Sequence, residues 1–308
     1  MQPTAHALVT GASSGIGAAF ARELASRGHA LVLVARRVDR LEALAAELRE
    51  RHGVGVECIA CDLADPRAPD WLLEETKRRG IAIDMLVNNA GYGVTGSLVS
   101  REWRTHEHFI QVMIAAPTEL CYRFIPAMRE RGFGRVINVA SFAGLMPAPA
   151  GHTLYAASKA YLIRFSEALA LENRHHGIDV CALCPGFTLS EFHDVTGSRK
   201  SVSTMPKWVW LDAGKVARCF IHSDYVTYFN LMDSTATPAD AAPYEPREVS
   251  GSPLPWLHVG DAVIAYLDPP PPSEGEAVRG MRFLRYDGGV FRDVTADVAD
   301  GTLHVELR

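Results

Sequence analysis

Residues 1–222 are predicted to form an α/β unit, a doubly wound parallel sheet, and three observations carry that prediction. Short β-branched runs alternate with longer stretches of helical periodicity. The runs are apolar almost throughout, as strands are when helices cover both faces of a sheet. A glycine-rich turn, Thr10-Gly11-Ala12-Ser13-Ser14-Gly15-Ile16-Gly17, stands between the first strand and the first helix.

The strands are expected at His6–Thr10, Ala30–Ala35, Gly55–Cys61, Asp84–Asn88, Arg135–Ala140 and Asp179–Cys184. Helices are expected between them at Ile16–Arg27, Arg37–Arg51, Pro69–Arg79, Glu102–Arg131 and Leu154–His175. Past about Phe220 the pattern changes, so residues 223–308 read as a separate extension. Proline and small polar residues dominate Ser234–Pro255, and four successive prolines in Asp268–Glu276 forbid a helix or a central strand there. Met281–Tyr286 and Val290–Val294, joined through Gly288-Gly289, read as a β-hairpin, with a further strand at Thr302–Leu307. Two segments compete for a last strand of the main sheet: Tyr225–Asn230, the preferred one from its chain position, and Met281–Tyr286. The apolar segment Trp256–Leu267 calls for burial, which favours an extension docked on the main unit over one that swings free.

The chain has 308 residues, 48% of them apolar and 22% charged, which excludes wholesale disorder. A net charge of −5 gives no electrostatic footprint for nucleic acid or an anionic membrane. The N-terminal segment Met1–Ala7 lacks the basic and apolar regions of a secretory leader, and Ala30–Ala35 is far too short to span a bilayer. A cytosolic protein is expected. Six cysteines include two C-x-x-C pairs, Cys58/Cys61 and Cys181/Cys184. Both pairs fall in strand-like runs, where residues three apart point to opposite faces and cannot share one ion. The cysteines are therefore read as reduced and buried, and no metal is expected.

Glycines in the Thr10–Gly17 turn permit close approach of backbone to a pyrophosphate, which sits against the positive end of the following helix. The second strand ends in Ala35-Arg36-Arg37. Folds that bind NAD carry an acidic residue near this point for the ribose hydroxyls, whereas a guanidinium suits a phosphate dianion. Arg36 and Arg37 therefore favour NADP(H) over NAD(H), against the plainer reading of a solvated helix start.

At this point the chain resembles the short-chain dehydrogenase/reductase family. Its glycine motif stands complete at Thr10–Gly17, with Asp62-Leu63 after the third strand and Asn88-Asn89-Ala90-Gly91 after the fourth. Ser141 lies in the Asn-x-x-Ser-x-x-Gly setting of Asn138–Gly144, Tyr155 and Lys159 form the Tyr-x-x-x-Lys pair, and Pro185-Gly186 follows the sixth strand. The resemblance covers roughly residues 4–220. It implies a Rossmann fold and an oxidoreductase in which Ser141, Tyr155 and Lys159 are catalytic. It also implies that Thr10, Gly11, Ser13, Ser14, Gly15, Ile16, Gly17, Asp62, Leu63, Asn89, Ala90, Gly91, Tyr155, Lys159, Pro185, Gly186, Thr188 and Ser190 bind the cofactor with Arg36 and Arg37. Ser190 stands where the family often has a threonine near the nicotinamide carboxamide. A homodimer or homotetramer packed through the long helices is implied as well.

The Tyr155–Lys159 pair has its own physical logic. A free tyrosine has a pKa of about 10. Residues four apart on a helix are neighbours, and a charge about 5 Å away at an effective dielectric near 20 favours the phenolate by roughly 3 kcal/mol. The phenol is thus expected near working pH. Two departures from the family stand out. Aligning Phe109–Pro117 on the family's pattern puts Met113 where an asparagine holds a relay water, and a thioether cannot donate a hydrogen bond. The interval from Ser141 to Tyr155 is one residue longer than expected, which places an extra residue among Leu145–His152.

The resulting expectation is an NADP(H)-dependent enzyme that interconverts a carbonyl and a secondary alcohol. Phe187, Phe192, Met205, Trp208 and Trp210 in the loops after Gly186 favour a hydrophobic ketone as the small-molecule substrate. The alternative is an NADP(H)-binding or sensing protein with weak or lost turnover, its extension serving as an interaction module. A sugar epimerase or dehydratase fits less well, because those relatives generally carry a TGxxGxxG spacing.

Overall fold

The computed structural model describes residues 5–148, 150–192, 196, 210–221, 263–267, 281–287 and 290–293. The chain divides into two compact units, Met1–Phe229 and Asn230–Arg308.

In the first unit the strands are β1 (His6–Thr10), β2 (Ala30–Ala35), β3 (Val56–Ala60), β4 (Ile83–Asn88), β5 (Gly134–Val139) and β6 (Ile178–Leu183). They pair in the order β3-β2-β1-β4-β5-β6, all parallel. The helices are α1 (Gly15–Ser26), α2 (Val38–His52), α3 (Ala68–Arg78), α4 (Trp103–Ile110), α5 (Ala116–Arg131) and α6 (Thr153–Asn173). Strand interiors are apolar on both faces: Leu8, Val9, Val32, Leu33, Leu86, Val87, Val136 and Val180 are wholly buried. Each helix lays one apolar stripe on the sheet, as Phe20, Ala21 and Leu24 do on α1 and Leu41, Ala45 and Leu48 on α2. Strand order reverses at β1, which lies between β2 and β4. In a doubly wound sheet that reversal opens a crevice at the carboxyl ends of the strands, where ligands bind.

One helix departs from expectation. In place of a continuous Glu102–Arg131, α4 and α5 are separated by a π-helical turn at Gln111–Ala115. Pro117 supplies the reason, since it has no N–H to give to the carbonyl of Met113. The short strands β7 (Thr188–Leu189) and β8 (Leu211–Asp212) pair beyond β6, and α7 (Ala213–Ile221) follows.

In the second unit β10 (Met281–Asp287) and β11 (Val290–Asp293) form the expected hairpin, with Asp287 opposite Val290. β9 (Val263–Leu267) pairs with the other edge of β10. Met281–Tyr286 therefore belongs to an antiparallel three-stranded sheet and not to the parallel one. Both of its edges are taken by antiparallel partners, so it cannot serve as the last parallel strand. Tyr225–Asn230, residues 256–262 and Thr302–Leu307 lie outside the described residues.

The carboxyl ends of β1 and β4 are locked by one side chain. The wholly buried Thr10 hydroxyl accepts from the Asn89 and Ala90 backbone N–H groups at 2.9 and 3.1 Å and donates to the Val87 carbonyl at 3.2 Å. Asn89 returns the contact, its Nδ2 donating to the Thr10 carbonyl at 2.9 Å. Thr10→Val keeps the shape but leaves buried N–H groups unpaired, so a loss of about 2–4 kcal/mol is expected in urea unfolding. A loss below about 0.5 kcal/mol would contradict this account of the junction.

Candidate active site

The site is assembled from loops at the carboxyl ends of β1, β2, β4, β5 and β6. After β1 the chain turns sharply into α1. A Cβ on Gly17 would stand 2.4 Å from the Gly11 carbonyl oxygen, so no larger residue lets the turn close. Ser14 occupies the N-cap of α1 without a side-chain cap, and the first turn carries no acidic residue. The helix start thus keeps its N–H groups and its positive end for an anion, which fits a dinucleotide pyrophosphate.

The two arginines after β2 diverge. Arg36 is 73% exposed, with Nη1 4.0 Å from the Asp62 carboxylate. Arg37 folds over the glycine turn: its Nη2 donates to Ser13 Oγ at 2.9 Å and to Ser14 Oγ at 3.0 Å, and its Nη1 donates to Glu191 at 2.9 Å. Arg40 reaches the other oxygen of Glu191 at 2.5 Å. These contacts hold the Glu191 carboxyl below its ordinary range, Arg40 first and Arg37 second. Asp62 caps its own turn by accepting from the Ala64 N–H at 3.0 Å, and Leu63 is buried beside it.

Ser141 begins a 3-10 turn, Phe142–Gly144, with its Oγ accepting from the Ala143 N–H at 3.2 Å. Gly144 explains how this turn lies on α6: a Cβ there would stand 2.7 Å from the Lys159 carbonyl carbon. That close approach brings Ser141 to Tyr155. Burial pushes the Tyr155 phenol up to about 12, and a side-chain hydrogen bond with Ser141 pulls the other way. The Phe192 ring packs against Tyr155, centroids 5.4 Å apart.

Lys159 is 5% exposed, and its Nζ donates to the Val139 carbonyl at 2.7 Å, 5.7 Å from the centre of the Tyr155 ring. Burial lowers its ammonium to about 8, partly offset by the Cys184 thiol. The expected acidification of Tyr155 by Lys159 is therefore not what this structure holds. Desolvation dominates both groups, and the ammonium is turned to a backbone carbonyl instead of the phenol oxygen.

Asn88 and Asn138, at the ends of β4 and β5, share a buried hydrogen bond of 2.9 Å, and Asn138 continues to Ser166 on α6 at 2.8 Å. Met113 lies in the π-helical turn, wholly buried, and takes the Tyr92 N–H on its sulfur at 3.4 Å. It lines a small cleft with Thr10, Asn88, Ala90 and Lys159. The polar side chains of that cleft come from the strand ends (Thr10, Asn88) and from α6 (Lys159), whereas its α4–α5 lining, Val112, Met113, Pro117 and Leu120, is apolar.

After β6, the Pro185 carbonyl accepts from the Phe142 N–H at 3.0 Å and the Gly186 carbonyl from Thr188 Oγ1 at 3.1 Å. Ser190 stands over the glycine turn, its Cβ 3.0 Å from where a Cβ on Gly15 would be. Phe187 and Trp210 pack at 5.8 Å, while Met205 and Trp208 lie outside the described residues. The structure thus gathers Ser141, Tyr155 and Lys159 at one place and Ser13, Ser14, Arg37 and Ser190 around the glycine turn. Glu191, Arg40 and the π-helical turn escaped the sequence reading, since neither an acidic residue in a loop nor a third arginine announces its partner. Burial also raises the thiols of Cys58 and Cys61 to about 11, which leaves them protonated at neutral pH.

Residues 5–200 match the family model described as short chain dehydrogenase. The chain belongs to the short-chain dehydrogenase family. It is 33% identical over 196 residues to a very-long-chain 3-oxoacyl-CoA reductase of Anas platyrhynchos, 62% of each chain. A short-chain dehydrogenase from Sphingobium yanoikuyae, solved in complex with NADPH, is 36% identical with a TM-score of 0.67, covering 73% of this chain and 87% of that one. A bulky-bulky ketone specific alcohol dehydrogenase from Comamonas testosteroni is 33% identical with a TM-score of 0.62, covering 70% and 81%. Matches to the first curated relatives span only 51% to 62% of their length. Among the described residues of this family member, no helix is long and apolar enough to cross a membrane.

The desolvated phenol generates a direct test. A group raised by burial stays protonated through neutral pH, so the free protein should show no tyrosinate absorbance from Tyr155 below about pH 10. Ultraviolet titrations of wild type and Tyr155→Phe should superimpose to that point. A tyrosinate that appears near pH 7–8 in wild type and is lost in Tyr155→Phe would contradict the geometry.

Proposed function

We propose that this family member is an NADP(H)-dependent oxidoreductase interconverting a carbonyl and a secondary alcohol, with a hydrophobic ketone as substrate. The observation that carries the reading is the convergence of Ser141, Tyr155 and Lys159 beside an uncapped helix start. When bound, the nicotinamide supplies the hydride and the protein supplies orientation and proton transfer.

Tyr155, protonated at neutral pH, is the proton donor to the carbonyl oxygen in the reducing direction. Ser141 donates a hydrogen bond to the same oxygen, where negative charge develops. The Lys159 ammonium, charged below about 8, stabilises that charge from the next turn of α6 and is placed to hold the nicotinamide ribose. Thr10, Gly11, Gly15, Ile16 and Gly17 form the pyrophosphate cradle. Ser13, Ser14 and Arg37 take the 2′-phosphate, with Arg36 over the adenine side near Asp62 and Leu63. Asn89, Ala90, Gly91, Pro185, Gly186, Thr188 and Ser190 complete the cofactor cleft. The NADPH in the Sphingobium protein supports this choice. Phe187, Phe192 and Trp210 give the loops after β6 an aromatic character that suits a bulky apolar ketone, in keeping with the Comamonas and Anas relatives.

Trp103 and Tyr122, 67% and 74% exposed on α4 and α5, support a homodimer or homotetramer packed through the long helical stretches α4–α5 and α6. Protonated, partly buried thiols suit the cytosol. Met113 favours the second reading, an NADP(H)-binding protein with little turnover, because its thioether cannot hold a relay water as an amide does.

NADPH oxidation followed over a panel of bulky ketones separates the two readings. Turnover with NADPH well above that with NADH is expected, and Tyr155→Phe should reduce activity by about 10²–10⁴ with cofactor affinity within a few-fold of wild type. An active Tyr155→Phe variant would overturn the assignment. Tight NADPH binding without turnover on any ketone would establish the second reading.

A further inference from the structure

Glu191 follows directly after Ser190, in the loop that crosses the cofactor crevice, and its carboxylate is shared between two guanidiniums. One oxygen accepts from Arg37 at 2.9 Å and the other from Arg40 at 2.5 Å. Arg37 at the same time donates to Ser13 and Ser14 of the glycine turn. Two arginines converge on one carboxylate, and one of them is anchored to two serine hydroxyls of the glycine turn; such a guanidinium pair suits a phosphate, and here the anion comes from the chain itself. We infer that Glu191 is an intramolecular competitor of the 2′-phosphate, occupying the arginines that would receive it.

The inference rests on the NADP(H) reading above and adds to it a residue that sets affinity. A carboxylate and a phosphate dianion repel each other and cannot both be satisfied by the same two guanidinium faces, so the ligand enters by displacing Glu191. The residues on either side report the same geometry. Ser190 stands against Gly15 of the cradle, and Phe192 packs on the Tyr155 ring. The strap therefore lies across both ends of the crevice, over the phosphate cradle and over the phenol. A nucleotide without that phosphate has nothing with which to displace the carboxylate.

Glu191 is about 40% exposed, as are its partners, so the pair is solvent-screened and the expected effect is moderate. The test is calorimetric binding to the full-length protein of two nucleotides that differ only in the phosphate concerned, adenosine 2′,5′-bisphosphate and adenosine 5′-monophosphate. Wild type should prefer the bisphosphate. Glu191→Gln keeps the side-chain shape and removes the charge, and should tighten the bisphosphate about fivefold or more, equivalent to about 1 kcal/mol. Its affinity for the monophosphate should stay within about twofold. Glu191→Ala should behave in the same way. Unchanged or weaker bisphosphate binding in Glu191→Gln would overturn the inference while leaving the NADP(H) reading standing. So would equal tightening of both nucleotides, because that would mean a general loosening of the strap. Equal affinity for the two nucleotides in both wild type and Glu191→Gln would instead overturn the NADP(H) reading itself, and the inference with it.

Discussion

The site depends first on the junction that Thr10 makes between β1 and β4. These are the two strands on which the sheet changes winding direction, and nothing in a parallel ladder by itself fixes how far their ends splay apart. A single hydroxyl, wholly buried, accepts two N–H groups from the Asn89-Ala90 turn and donates to Val87. It holds the glycine turn, the start of α1 and the Asn88–Gly91 segment in one rigid relation. The glycine turn and the Asn88–Gly91 segment are referred to that frame directly, and Glu191 of the loop after β6 joins it through Arg37.

A second constraint acts on the same face of the sheet. Asn88, Asn138 and Ser166 form a buried polar chain from β4 through β5 to α6, and Ser166 lies on the helix that carries Tyr155 and Lys159. In a core this apolar an unpaired amide is expensive, so the chain favours one register of α6 over its neighbours. Gly144 then lets the Ser141 turn come into contact with the α6 backbone. What distinguishes the phenol and the ammonium is burial: it raises one towards about 12 and lowers the other towards about 8, so both are held nearer to their neutral forms. The phenol is thereby protonated at neutral pH.

Much of this was legible in the sequence because each element carried agreeing local signals. The six strands were readable from apolar runs that alternate with helical periodicity, and the shifts in their bounds are one residue at either end, as at Gly55–Cys61 against Val56–Ala60. The Ser141, Tyr155 and Lys159 cluster followed from the motif. The π-helical turn was not legible, since Gln111–Ala115 has ordinary helical composition and only the absent N–H of Pro117 disturbs it. The direction of the Tyr155 shift is not legible from the Tyr-x-x-x-Lys spacing, because that spacing shows the nearby charge and not the burial of the phenol, which outweighs it. Arg37 and Arg36 looked equivalent, and only the fold shows that one is turned to the glycine turn and the other to solvent. Glu191 pairs with residues more than 150 positions away, a separation that no local pattern encodes. Met281–Tyr286 was correctly a strand and wrongly a candidate for the parallel sheet, because strand signals do not name the partner.

In the proposed reaction a hydride passes to the carbonyl carbon while Tyr155 protonates the oxygen. NADPH carrying deuterium at both C4 positions, incubated with the full-length protein and a bulky aryl ketone, tests it most directly through mass spectrometry of the alcohol formed. One deuterium per product molecule is expected, bound to the carbinol carbon and not exchanged with solvent. Product without the label, or label washed out into water, would contradict it.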